Sequence, residues 1–172
     1  MEQLRLERIN DDNVYEIINL RVRKEQKGFV ARNVNSIVHA YLNLQKGRPV
    51  FPFGIYVGKK PVGFLMIGYD IFGDEREPDP NCDWFLRNSY IIWRLMIDRR
   101  YQGRGYGRKA MEQALEFVRS FPCGEAEYCW VSYEPENVVA QKLYRSFGFE
   151  EVPAALYEGG EMPAVLHLQA RK

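Results

Sequence analysis

The chain has 172 residues, enough for one compact domain and too few for two ordinary ones. Hydrophobic residues make up 46% and charged residues 27%, a balance that supports a normal core and argues against global disorder. The formal net charge of +1 argues against a broad nucleic-acid-binding face, and no run of eighteen apolar residues predicts a membrane-spanning helix.

Residues 1–8 alternate apolar and charged side chains and read as a first strand, without the apolar core of a signal peptide. Asp11 or Asp12 suits the cap of a helix reaching about Arg23, with Val14, Ile17, Ile18 and Arg21 at helical spacing. A second helix is expected from Asn35 or Ser36, with a stripe of Ile37, Tyr41 and Leu44 and a stop at Gly47. Residues 24–30 between them carry no clear pattern. Phe53 to Val57 and Val62 to Tyr69 read as strands of a hairpin turning through 58–61. Residues 70–83 hold six acids (Asp70, Asp74, Glu75, Glu77, Asp79, Asp83) against Arg76 and read as a loop. Ser89 to Ile97 is an apolar strand suited to a buried sheet.

The run Gln102-Gly103-Arg104-Gly105-Tyr106-Gly107 then opens a helix to about Phe121, whose Met111, Ala114, Leu115 and Val118 share one face. Ala126 to Tyr133 is a strand, and residues 134–137 turn into a short helix. Ala140, Leu143, Tyr144 and Phe147 lie on one side of that helix, and Gly148 caps its end. Ala164 to Gln169 reads as a final strand. The order β-α-α-β-β-β-α-β-α-β predicts an α/β fold, more strictly α+β with a mixed sheet covered by helices, as a single domain over 1–172.

Cys82, Cys123 and Cys129 are an odd set without framework spacing, so reduced thiols and a cytoplasmic protein are expected. His39 and His167 lie far apart, and no metal site is expected. The glycine run is the strongest chemical signal. A helix N-terminus presents unpaired N–H groups and a positive dipole end, glycine allows close backbone approach, and Arg104, Arg108 and Lys109 add charge. A Walker loop would need Lys-Ser/Thr after Gly107, where Arg108-Lys109 stands. A dinucleotide loop wants G-x-G-x-x-G, which Gly103, Gly105, Gly107 and Arg108 do not supply. By itself the run is a generic phosphate seat or a helix start that happens to be glycine-rich.

The stretch from Leu95 to Gly107 resembles the acetyl-CoA motif of the GNAT N-acetyltransferases, a strand followed by Q/R-x-x-G-x-G/A opening a helix. About thirty residues on, Asn137 to Phe149 is similar to that family's N-x-x-A-x-x-L-Y-x-x-x-G-F stretch. More closely, Lys24 to Ala31, Trp93 to Asp98 and Glu125 to Trp130 resemble the bacterial spermine/spermidine (diamine) N-acetyltransferases. The resemblance implies an acyl-CoA N-acyltransferase fold with a central, mostly antiparallel sheet flanked by helices. It implies acetyl-CoA as donor, its pantetheine arm against the backbone of Leu95, Met96 and Ile97. The backbone amides of Gln102, Gly103, Arg104, Gly105, Tyr106 and Gly107 would hold its pyrophosphate, with Arg108 nearby. Asn137 would hydrogen-bond the cofactor, and Tyr144 would stand near the sulfur. Judged from the residues alone, Asn137 reads first as a helix cap and Tyr144 first as a core side chain.

Some members of that family carry a catalytic glutamate on the strand before the loop, where this chain has Ile91. A primary amine titrates near 10.4, so only about one molecule in 2,500 is neutral at pH 7 and the site must remove a proton. A base reached through ordered water is expected, with Glu25 and Glu134 as candidates. A strand N–H near Met96 or Ile97 is expected to stabilise the oxyanion, and Tyr144 to protonate the departing thiolate. The acidic loop, including Asp74 and Glu75, is suited to steering a polycation, with Trp84, Phe85 and Trp93 as aromatic faces; the loop reads equally as a solvated surface segment and the aromatics equally as core. The expected partner is therefore a small-molecule amine, a polyamine first, without nucleic acid or membrane, and the assembly a homodimer. Another amine (an aminoglycoside, an amino acid or a protein lysine) or a non-catalytic acyl-CoA sensor are the alternatives.

Overall fold

The computed structural model describes residues 3–71, 79–156 and 160–168. The expected loop acids Asp74 and Glu75 lie outside the described residues. Seven strands form one sheet: β1 (Leu4–Arg8), β2 (Val50–Val57), β3 (Lys60–Tyr69), β4 (Tyr90–Ile97), β5 (Tyr128–Tyr133), β6 (Glu150–Glu151) and β7 (Met162–His167). Their spatial order is β1-β2-β3-β4-β5-β7-β6. Every neighbouring pair is antiparallel except β4 and β5. The helices are α1 (Val14–Ile18), α2 (Asn33–Gln45), α3 (Tyr106–Arg119) and α4 (Val138–Arg145), with short 3-10 turns at Lys24–Gln26 and Pro153–Ala155.

The sheet separates two cores. Ala110, Met111, Ala114, Leu115 and Val118 of α3 pack with Ile55, Leu65, Ile67, Tyr90, Ile92, Cys129 and Val131, as the helical spacing requires. On the opposite face Ile17 and Ala40 of the first two helices meet Tyr56, Phe64, Met66 and Met96. Phe85, Leu86, Ala155 and Val165 cover the same face further along, beside Tyr128 and Trp130.

The first two helices depart from expectation. Helix α1 ends at Ile18, well short of Arg23, because tertiary partners take the chain that would continue it. The Arg21 N–H donates to Asp98 Oδ2 at 2.9 Å, and the Arg99 N–H to the Arg21 carbonyl at 2.8 Å. Asp11 and Asp12 are exposed and do not cap it; the Asn10 Oδ1 accepts the Asp12 and Asn13 N–H groups instead. Helix α2 begins at Asn33 and buries Asn33, Ser36 and Ala40. Tyr41 and Leu44 of the expected stripe are exposed. Small polar residues can face inward there because they are satisfied: Asn33 Nδ2 donates to the Ile17 carbonyl at 2.8 Å.

Candidate active site

Strands β4 and β5 run together for only two pairs, Tyr90–Cys129 and Ile91–Trp130. Beyond Ile91 they separate, while β4 continues to Ile97 and β5 to Tyr133. A wedge-shaped opening therefore divides the sheet, and each strand presents an unpaired backbone edge to it. On its other side β4 stays paired with β3 as far as Gly63–Ile97.

Alternation decides which backbone groups of β4 face the opening. The Asp98 N–H donates to the Val62 carbonyl at 2.8 Å, and the Met96 carbonyl lies against Gly63, so both belong to the β3 side. Leu95 and the Ile97 N–H consequently point into the opening. Of the three expected pantetheine contacts, the backbone of Met96 is engaged by β3. For the oxyanion, Ile97 and not Met96 is the N–H on the open side.

At the tip of the opening lies the glycine loop. Gly103 and Gly105 both have φ of +77°, a left-handed conformation that glycine adopts without strain. A Cβ added at either would meet nothing within 4 Å, so their outer faces are open to a ligand. Gly105 is the N-cap of α3 and offers no side-chain cap. The first turn of α3 holds no acid and instead carries Arg108 and Lys109 at the positive end of the helix dipole. That arrangement is unfavourable without an anion and favourable with one.

The loop's other side chains are braced within the protein. Gln102 Nε2 donates to Gln26 Oε1 at 2.8 Å and to the Ile97 carbonyl at 2.9 Å, tying the loop to the 3-10 turn and the end of β4. Asp98 holds its base: the carboxylate takes the N–H of Arg21 and of Arg100 and the Arg100 Nε at 2.8 Å. Burial works to raise the Asp98 carboxyl, but the Arg100 side chain and the two backbone donors outweigh it and hold the group below its usual range. Arg104 is exposed and donates to the Arg100 carbonyl at 3.3 Å. Arg108 donates to Ser146 Oγ at 2.9 Å and lies 4.9 Å from the centre of the Phe147 ring, bridging α3 to the end of α4. The Tyr106 and Gly107 positions open α3.

Helix α4 packs Tyr144 against Tyr133 at the end of β5. Asn137 Oδ1 accepts the Ala140 N–H at 3.2 Å, so Asn137 acts as the N-cap. Tyr144 is buried, its ring 5.6 Å from Tyr133 and 5.9 Å from Phe149. Tyr133 is itself fixed by donating to Glu151 Oε1 at 2.6 Å, the atom that also accepts from Gln141 at 2.8 Å. Burial pushes the Tyr144 hydroxyl above the usual phenol value, and the nearby Glu161 carboxylate adds to the effect. The hydroxyl therefore carries its proton throughout the neutral range.

The β3–β4 register slips so that Met66 pairs with Arg94 and Ile67 with Ile92, leaving Trp93 as a bulge. Trp93 thus turns to the α1–α2 face, 6.0 Å from His39. Arg94 stacks over it at 5.2 Å and donates to the Trp93 carbonyl at 2.8 Å. Arg94 Nε is buried and has no hydrogen-bond partner among the described residues. Burial pulls this guanidinium below its usual value, opposed by Glu161. Glu161 in turn accepts a hydrogen bond from Ser132 of β5. Neither Arg94, Ser132 nor Glu161 was expected at the site from the sequence. Arg94 was hidden inside an apolar run, and Glu161 precedes a strand with no motif around it.

Other expected residues fall elsewhere. Ile91 is buried beside Gly68 at the last paired rung. Glu25 is exposed on the 3-10 turn next to Gln26. Trp84 packs edge-on against Tyr128 at 4.7 Å, four residues, about 13 Å of strand, before Ser132. The face of Trp93 is already taken by Arg94. Among the described residues no group of His, Cys, Asp and Glu is arranged to hold a metal, and no helix is long and apolar enough to cross a membrane.

The sequence matches the Acetyltransferase (GNAT) family over residues 14–149, and the chain belongs to that family. It is an acyltransferase with acetyl-CoA as the acetyl donor. The spermine/spermidine N(1)-acetyltransferase of Bacillus subtilis (strain 168) is 26% identical over 148 residues, covering 86% of this chain and 88% of that protein. The N-alpha-acetyltransferase RimI of Mycobacterium tuberculosis is 33% identical over 101 residues, 59% of this chain and 55% of that protein. In fold, the chain is similar to the aminoglycoside acetyltransferase AAC(6')-Ib crystallised with coenzyme A, with a TM-score of 0.68 at 20% identity over 98% of this chain and 96% of that one. The open glycines, the uncapped α3 terminus and the free β4 edge fit the pyrophosphate and the amide-bearing arm of this donor.

Proposed function

We propose that the protein transfers acetyl from acetyl-CoA to a primary amine by direct attack, with a polyamine such as spermidine or spermine as acceptor. The observation that carries this reading is the opening between β4 and β5, with the uncapped α3 terminus at its tip and Tyr144 packed against Tyr133 at the end of β5. The backbone amides of Gln102 to Gly107 receive the pyrophosphate, and Leu95 and the Ile97 N–H receive the arm. In this reading the Ile97 N–H, on the open side of β4, also serves as the oxyanion donor. Asn137 orients the first turn of α4 and contributes its side-chain amide to the donor. Tyr144, held in its protonated form, donates to the departing sulfur. The donor supplies the acetyl group as a thioester. A polyamine acceptor is supported by the likeness to the Bacillus enzyme across most of both chains. The protein works in the cytoplasm as a homodimer in this reading.

A thiol-release assay over an amine panel tests the proposal. Spermidine and spermine should be used with kcat/KM at least about tenfold above an aminoglycoside, free amino acids and a lysine peptide, a ratio worth about 1.4 kcal/mol. Release with the other amines alone rejects the acceptor. Acetyl-CoA binding without release for any amine would identify a sensor.

A further inference from the structure

Ile91 is a buried apolar residue and Glu25 sits on the 3-10 turn at Lys24–Gln26, so of the expected bases only Glu134, directly after Tyr133, stands at the end of β5. We propose that Glu161, at the entrance to β7, holds the incoming amine as its ammonium ion on the acceptor side of the β4–β5 opening and takes its proton. This rests on the reading of the protein as an amine acetyltransferase and names the group that reading lacked.

Strand alternation sets the geometry. On β5, Cys129, Val131 and Tyr133 face the α3 core, so Ser132 faces the other side with Tyr128 and Trp130. Ser132 donates to Glu161 Oε2, which pins the carboxylate to that face beyond the Tyr133–Met162 pair. The bulge at Trp93 turns Arg94 toward the α1–α2 face on the facing strand. The same carboxylate acts electrostatically on Arg94 of β4 and on Tyr144 of α4. Glu161 is exposed on that face, and its partner Ser132 lies on β5 beyond the Ile91–Trp130 rung where the opening begins. Glu134, directly after Tyr133, is the other acid at this corner in the sequence. An acid paired with a hydroxyl and facing a guanidinium is oriented before the amine arrives, and Tyr144 approaches from the α3–α4 side. Proton acceptor and proton donor therefore approach from opposite faces of the sheet.

The proton balance closes. The ammonium gives one proton to Glu161, directly or through one water, and its freed lone pair forms the C–N bond. The C–S bond breaks, and its electron pair leaves with sulfur, which takes the Tyr144 proton. The second nitrogen proton restores Tyr144 through water, and Glu161 releases the first to solvent.

The test is the pH dependence of kcat/KM between pH 6.5 and 10, for an amine that the wild type accepts. Glu161→Gln, Glu161→Asp and Ser132→Ala are compared, with CoA affinity, and amine affinity for the CoA complex, measured by calorimetry. At pH 7 Glu161→Gln should lower kcat/KM about 100-fold or more and weaken amine binding about tenfold, with CoA affinity within about threefold. Its kcat/KM should then climb about tenfold per pH unit toward the pKa of the amine, near 10.4, because only amine that arrives neutral can react. The wild type should rise less steeply. Glu161→Asp should restore part of the neutral-pH rate, and Ser132→Ala should fall between the two. Parallel profiles for wild type and Glu161→Gln, or kcat/KM within about threefold at pH 7, overturn the assignment while leaving the amine acetyltransferase reading intact. Wild-type enzyme that releases no thiol with any amine overturns both.

Discussion

Tyr144 combines two properties that pull in different directions. Its burial keeps the phenol protonated, which suits a donor to a developing thiolate, yet the same burial resists complete loss of the proton. The group is therefore most effective as charge accumulates on sulfur, and its contribution should appear in turnover more than in binding. Tyr144→Phe is expected to lower kcat about 100-fold or more while the CoA dissociation constant stays within about threefold; steady-state kinetics with calorimetry decide this, and unchanged kcat removes the role. Asp98 is a structural counterpart. Its carboxylate carries three hydrogen bonds at the base of the glycine loop and is almost fully buried. Asp98→Ala should cost about 2–4 kcal/mol in urea unfolding, because the Arg21 N–H loses its partner. The folded carboxyl is depressed, so its stabilisation is present above the unfolded value, about 3.9, and disappears as the pH falls through the folded value. The stability gap between wild type and Asp98→Asn should accordingly narrow from pH 5 to pH 3.

Strand β4 does two jobs along its length, and small residues on its neighbour make this possible. Gly63 on β3 lies so close to Met96 that a Cβ would overlap the Met96 carbonyl oxygen and touch Ile55 and Ile97 at 3.0 Å. Gly63→Ala should destabilise the protein by about 1–3 kcal/mol through this overpacking, a loss of several degrees in a thermal melt. Because the displaced group is the strand beside the opening, CoA affinity should fall as well; an unchanged melt and affinity would show that β4 yields without consequence. Helices α3 and α4 were legible because each carries a regular apolar face followed by a clear stop. The extent of α1 and the buried face of α2 were misread for a common reason. Periodicity assumes that apolar residues face inward and that a helix continues until a breaker. Here Asp98, 77 residues away, captures the Arg21 N–H, and Asn33 and Ser36 turn inward while Tyr41 and Leu44 face solvent.

Across the whole molecule, the sheet is a clamp held together at one end of β4 and β5 and parted at the other. A ligand lying in that gap binds both halves of the sheet and the folded state alone, so it should stabilise the entire chain. Coenzyme A at 100 times its dissociation constant should add about 2.7 kcal/mol, raising the melting temperature by about 5–10 °C. A glycine-rich helix start without a ligand role would give no shift. Local patterns in the sequence were enough to define the order of elements apart from the two-residue β6, the glycine loop and the helix bearing Tyr144, since each depends on residues within a few turns of one another. They could not reveal the parting of β4 from β5, the bulge that turns Arg94, or the pairing of Ser132 with Glu161 across 29 residues. Those features come from register and from contacts between distant segments, which are set only when the strands pack.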